Sequence, residues 1–118
     1  MARIAGIAYV KVNGKQYPLR GNLTVSPSPT ERAGIAGQDG VHGFSENPRV
    51  PYIEMDVSLT SDLSIEELQA ITDATVQAEL ANGKVYVGRN CWCKSALELN
   101  THEGMTRVRF ESYDIQES

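Results

Sequence analysis

PSPTERAGIAGQDGVHGFSENPRVP, residues 27–51, is the stretch on which the reading of this chain turns. Prolines stand at 27, 29, 48 and 51, glycines at 34, 37, 40 and 43, and no helix or strand period is sustained between them. Structureless stretches longer than about 12–15 residues are uncommon in compact domains, and are usually functional or disordered. This one also carries Ile35, Val41, Phe44 and Val50, apolar groups for which a solvated linker has no use. It reads as a long protruding arm that docks through its own anchors, and the simplest partner is another copy of the same chain.

On both sides of the arm the sequence is written in short strands. Asn13-Gly14 separates AYVKV from KQYPLR, and Asn82-Gly83 separates TVQAELA from KVYVGR. Asn-Gly accepts the two positive φ values of a type I′ turn, so each pair predicts an antiparallel hairpin. Pro18 has no N–H for a ladder and assigns its strand to a sheet edge. Residues 50–59 alternate, with Ile53, Met55, Val57 and Leu59 opposed by Tyr52, Glu54, Asp56 and Ser58. Such alternation predicts a strand with one face on the core and the other on water or a polar lumen. Residues 75–80, 92–99 and 105–110 complete the set, with Val108 and Phe110 opposed by Arg107 and Arg109. One helix interrupts them. Ser64 and Glu67 have capping-box spacing, and Ile65, Leu68 and Ile71 form a narrow apolar stripe, which predicts a short helix over 64–72. Asp62, Glu66 and Glu67 suit the positive end of its dipole. The fold expected from these elements is mainly β, with one short helix.

Bulk properties bound the function. At 118 residues the chain is a single domain with a modest core. With 41% apolar and 22% charged residues it has an ordinary globular composition. Its net charge of −4 argues against a protein that grips nucleic acid. That charge is uneven, close to neutral over residues 1–59 and acidic over 60–118. No apolar run has the flanks of a signal peptide or the length of a membrane span, so neither secretion nor membrane insertion is expected. The glycosylation-type triplet Asn22-Leu23-Thr24 then carries no meaning.

The residue types that perform chemistry are present without the company they need. Cys91 and Cys93 flank Trp92 and share one face of a strand, yet a closed zinc site needs four ligands. His42 and His102 lie in the arm and in a turn, without paired-ligand spacing. Two reduced thiols fit a reducing compartment. A catalytic histidine needs an orienting partner and a nucleophile, and no nucleophile elbow or phosphate-binding Gly-Lys loop occurs. The arm glycines have neither the repeat of collagen nor the strand and helix that frame a phosphate cradle. Eight aromatics are not interleaved with a basic run, as single-strand binding would require. No enzyme activity, cofactor or metal is expected.

With the arm, two Asn-Gly hairpins and a capped helix in place, the chain resembles the tail tube proteins of contractile-tailed, Mu-like bacteriophages. The resemblance is carried by ARIAG-AYVKVNGKQYPL, by VSPS-ERAGIAGQDGVHGF-E-PRVPYIE, by SIEELQAITDATV-AELANGKVY and by a strand ending VRFE. These span nearly the whole chain in order; Cys91-Trp92-Cys93 and residues 113–118 depart from it. The resemblance implies two packed antiparallel sheets, a sandwich or barrel, with a flanking helix. It implies homo-hexameric rings stacked into a hollow tube in the virion tail, assembled in the host cytoplasm. A sheath outside, a tape-measure protein inside, and baseplate and terminator proteins at the ends are the implied partners, and DNA transits the lumen without specific binding. Within that frame the expected arm contacts are Glu31, Arg32, Ile35, Val41, Phe44 and Arg49. Fixed negative charge would keep DNA sliding, and Glu54, Asp56, Glu79 and Glu98 are the expected lumen acids. A DNA-free contractile machine (type VI secretion or a phage-tail-like bacteriocin) shares the architecture, and a monomeric ligand-binding β-barrel is the alternative of another class.

Overall fold

The computed structural model describes residues 8–61, 63–94 and 98–117. The N-terminal part of the resemblance (residues 2–6), Asp62, and residues 95–97 of the expected strand over 92–99 lie outside this set. The chain is mainly β. In order it forms β1 (Ala8–Val12), β2 (Lys15–Gln16), β3 (Leu19–Ser26), β4 (Thr30–Gly37), β5 (Gly40–Pro48) and β6 (Tyr52–Ser58). Helix α1 (Ile65–Gln69) follows, then β7 (Ala74–Leu80), β8 (Val85–Cys93), β9 (Leu99–Asn100), β10 (Met105–Glu111) and β11 (Asp114–Glu117). Every pairing is antiparallel.

The body is one hydrogen-bonded path, β2-β1-β7-β8-β10-β6-β3, folded into two layers, with β11 added on β8 and β9 on β10. Strand β8 belongs to both layers. Its first part pairs with β7 and β11, and its last residues, Trp92 and Cys93, pair with Glu111 and Phe110 of β10. The strand turns where it holds one extra residue against β7, and there Asn90 takes a left-handed φ of 55°. A bulge of this kind bends a strand and lets it pass between packed sheets. The Asn90 amide donates to the Asp73 carboxylate at 2.8 Å, holding the bend. Gly88, just before it, has no room for a side chain: an added Cβ would stand 2.8 Å from the Cys91 sulfur and 3.3 Å from Ile115.

Alternation places the core. Val10, Val12, Val76, Ala78 and Ile115 face inward from the first layer, and Ile53, Met55, Val57, Val108 and Phe110 from the second, all buried. Full burial of such a side chain contributes about 1.5–3 kcal/mol relative to exposure. Helix α1 contributes Leu68, with Ile65 and Ile71 packed at the margin. The helix is shorter than the expected 64–72. The Ser64 hydroxyl accepts from the Glu67 N–H at 3.3 Å to start it, and Ala70 already caps its end.

Three local expectations change. At Asn13-Gly14 both residues have positive φ (50° and 85°), as a type I′ turn requires. In the second loop Gly83 alone does (90°), and its N–H donates to the Leu80 carbonyl at 3.0 Å. That loop is a three-residue turn closed by a glycine bulge. Pro18 lies in no strand. It sits between β2 and β3, where the chain leaves the first layer for the second, and its carbonyl accepts from Ser58 N–H at 2.9 Å. Finally, the arm is not irregular: residues 30–48 form a regular two-stranded ribbon, β4 with β5, separate from the body's sheet.

Candidate functional site

The ribbon is the most distinctive surface of the molecule. Every residue of β4 is exposed, as is every residue of β5 except half-buried Ser45. An eight-residue strand at ~3.4 Å per residue reaches about 27 Å, consistent with overall dimensions of 61 × 40 × 29 Å. Strand pairing holds it, with clasps at its two ends. At the base, Arg49 donates from its backbone to the Pro29 carbonyl and from Nη1 to the Ser28 carbonyl, both at 3.0 Å. At the tip, His42 Nε2 lies 2.6 Å from Asp39 Oδ1, and this bond holds the Asp39 carboxyl below its ordinary pKa. The imidazole lies over Gly37, where a Cβ would come within 2.3 Å of it.

Register assigns the ribbon's side chains to faces, because residues paired across strands share a face. Arg32 pairs with Glu46, and Gly34 with Phe44. The Arg32 guanidinium lies 2.8 Å from Glu46 Oε1 and 5.5 Å from the centre of the Phe44 ring, a salt bridge and a cation–π contact on one face. Ile35 pairs with Gly43, Ala33 with Ser45 and Glu31 with Asn47, on the opposite face. Val41 and Phe44, three residues apart, would fall on opposite faces of a regular strand. A bulge between Ile35 and Ala36 gives β5 one extra residue, so Val41 pairs with Ala36 on the face of Phe44. Val41 is 83% exposed, Phe44 62% and Ile35 47%. Of the six expected arm residues, then, Arg32, Val41 and Phe44 come together, Glu31 and Ile35 lie behind them, and Arg49 is engaged with its own chain. The bulge has no signal in the sequence.

The four expected lumen acids are not one group. Glu54 and Asp56 sit on β6 against Arg107 and Arg109 of β10. Asp56 is only 4% exposed, a correction to the solvent-facing position its alternation predicts. It accepts from the Asn22 amide at 2.6 Å and from Arg107 Nε at 3.1 Å. Asp56 and then Glu54 raise the pKa of Arg107. Glu54 lies 3.3 Å from Arg107 and 3.7 Å from Arg109, and Arg109 also faces Glu111 at 3.3 Å. The Arg109 guanidinium stacks 3.7 Å from the centre of the Tyr52 ring. Glu79 belongs to the other layer, 3.4 Å from Lys11, and Glu98 is exposed ahead of β9. Asn22, which sequence reasoning passed over, reaches Asp56 because β3 bulges there and sets it at φ 53°.

Cys91 and Cys93 are buried free thiols, both pushed above the ordinary pKa by burial. Neutral thiols at physiological pH are poor nucleophiles and poor ligands. Among the described residues no group of three His, Cys, Asp or Glu is placed to hold a metal ion, and no helix is long and apolar enough to cross a membrane.

Against this geometry the comparisons with known proteins agree. The family model for phage tail tube proteins matches residues 1–117. A Mu-like prophage FluMu tail tube protein of Haemophilus influenzae is 37% identical over 111 residues, covering 94% of this chain and 92% of that protein. The tail tube protein of Escherichia phage Mu is 23% identical over 87 residues, covering 74% and 73%. Among solved structures, the tube-terminating cap of the anti-feeding prophage superposes with a TM-score of 0.69 at 10% identity, over 98% of this chain and 89% of that one. The sheath/tube terminator of an extracellular contractile injection system gives 0.59, also at 10% identity, over 94% and 92%. At such identities the structural likeness speaks for the fold, and the sequence relatives speak for the family. This chain, mainly β in its described residues, belongs to the phage tail tube protein family.

Proposed function

We propose that the chain assembles into hexameric rings that stack as the inner tube of a contractile tail and conduct DNA at ejection. In this reading the sheath surrounds the tube, a tape-measure protein fills it before ejection, and baseplate and terminator proteins bound its ends in the virion. Assembly takes place in the host cytoplasm. The observation that carries the proposal is the ribbon: two eight- and nine-residue strands held outside the body, with Ile35, Val41 and Phe44 open to solvent. Burying each against another copy contributes about 1.5–3 kcal/mol, repeated at every subunit of a ring.

A conduit must not hold its cargo. Phosphate binding comes from free cations that release counterions, and Arg107 and Arg109 are instead engaged with Glu54, Asp56 and Glu111. Glu79 and Glu98 remain our candidates for acids that face DNA in the lumen. Tubes carrying Glu79→Lys with Glu98→Lys should retain DNA after ejection; unchanged release would remove both from the lumen.

The direct test replaces residues 33–46 with Asn-Gly. The variant should fold as a monomer with its thermal midpoint unchanged, and negative-stain microscopy should show neither rings nor tubes, with baseplate components added. Tubes of normal length would sink the role of the ribbon.

A further inference from the structure

Where the chain leaves the first layer for the second, residues 15–18 face residues 60–63 across a cleft. It encloses about 430 Å³ and is lined by Lys15, Gln16, Tyr17, Pro18, Thr60 and Leu63. Sites that take ligands span about 300–1,000 Å³. Main-chain bonds fix both walls. The Tyr17 N–H donates to the Val10 carbonyl at 3.1 Å, and the Tyr17 carbonyl accepts from the Leu19 N–H at 2.8 Å. On the other wall the Leu63 N–H donates to the Thr60 carbonyl at 3.1 Å, and the Ser58 N–H ties the two walls through the Pro18 carbonyl. The cleft is therefore formed in the single folded chain, whether or not that chain assembles into a tube.

Its side chains describe an occupant. Tyr17 is only 9% exposed, yet among the described residues its hydroxyl has no hydrogen-bond partner. Buried polar groups are as a rule paired. Burial, and then the charge of Glu67 on α1, raise the pKa of this phenol, so it stays neutral and can both donate and accept. The Lys15 ammonium stands 5.6 Å from the centre of the Tyr17 ring. Lys11 and Lys84 are paired with Glu79 and Glu117, whereas Lys15 has no carboxylate partner among the described residues. Pro18 and Leu63, both half-buried, complete an apolar wall with the Tyr17 ring. We propose that this cleft docks a short segment of a partner protein that presents an aliphatic side chain followed by a carboxylate. The aliphatic group would lie on Tyr17, Pro18 and Leu63, and the carboxylate would meet Lys15. A simple fatty acid would answer these groups too, but it brings no N–H for the Tyr17 hydroxyl or for Glu67 beside it. A polypeptide brings both charge and donors.

The experiment titrates the isotope-labelled full chain with the peptide acetyl-Leu-Glu-amide, followed by NMR, with the Leu-Gln and Leu-Lys peptides as controls. Saturable shifts should gather at residues 15–18 and 60–63, and the Glu peptide should bind at least fivefold tighter than either control. Lys15→Met, at an exposed position, should keep a dispersed native spectrum and lose that preference. Tyr17→Phe keeps the ring and should weaken all three peptides alike. No saturable shift at these residues with peptide at tens of millimolar would overturn the site. Equal binding of the Glu and Gln peptides, or a preference that survives Lys15→Met, would overturn the carboxylate assignment. Because the readout is made on the monomer, either failure leaves the tube reading untouched.

Discussion

Strands β5 and β6 are neighbours in the chain, joined by residues 49–51 and similar in length, yet their surroundings are opposite. In β6 Ile53, Met55 and Val57 are buried and Phe110 and Val108 lie beside them on β10, while β5 has no buried residue at all. The interior holds β6. The ribbon's large apolar groups, Ile35, Val41 and Phe44, stay open to solvent. Exposed apolar area of this kind is characteristic of interaction sites, and the contrast is what supports the contact proposed for the ribbon.

The sharpest way to break the comparison is to truncate one phenylalanine from each region. Phe110→Ala should cost about 3–5 kcal/mol of folding stability, read as a lowered urea midpoint. Phe44→Ala should move the same midpoint by less than about 0.5 kcal/mol, the usual range for exposed positions. Equal losses would mean that the ribbon packs on its own body. A smaller effect tests the border between interior and surface on the outer face of β6. Asn22→Gly keeps the left-handed backbone and removes only the amide that serves buried Asp56. A hydrogen bond to a charged group is worth about 1.5–3 kcal/mol, and the urea midpoint should fall accordingly.

The smallest effects are titrations of opposite sign. The thiols of Cys91 and Cys93 have raised pKa values in the folded chain. Their contribution to stability is therefore complete below the ordinary thiol value of about 8.5 and is lost as pH rises through the folded values. At neutral pH a disulfide reagent should label neither until urea unfolds the body. Asp39 at the ribbon tip is shifted the other way, by its bond to His42. That contribution is present above the ordinary carboxylate value of about 3.9 and is lost as pH falls through the folded one. An NMR titration of Asp39 should have its midpoint below that of a free aspartate, and His42→Ala should move it up toward the ordinary value, the backbone hydrogen bond to the carboxylate remaining.

Much of the body was legible because its cues are local. The alternation of Ile53, Met55 and Val57, the two Asn-Gly loops and the Ser64 cap each act within a few residues, and each appears where expected. The ribbon is legible in the sequence as a distinct segment, and not as a sheet. Its glycines and flanking prolines mask a strand pattern, and register between β4 and β5 is a relation across the turn that no single-strand period contains. Asp56 was misplaced for a related reason. Alternation put it on the outer face correctly, but a bulge in β3 and the reach of Arg107 from β10 cover it there. Strand β11 carried no expectation; its one buried anchor, Ile115, packs near Gly88 of a strand already paired on its other side.

The passage of β8 through both layers has a mechanical consequence. Two sheets joined by side-chain packing alone can slide when loaded along their strands, because dispersion contacts resist shear weakly and re-form after a slip. Here one continuous strand runs from one layer into the other around Asn90, paired with β7 and β11 on one side of the bend and, at Trp92 and Cys93, with β10 on the other. Force applied to one layer reaches the other as tension in that backbone and must break ladder hydrogen bonds on both sides together before the layers part. In the tube proposed above, β8 is the member that makes each subunit respond to such a load as one rigid block.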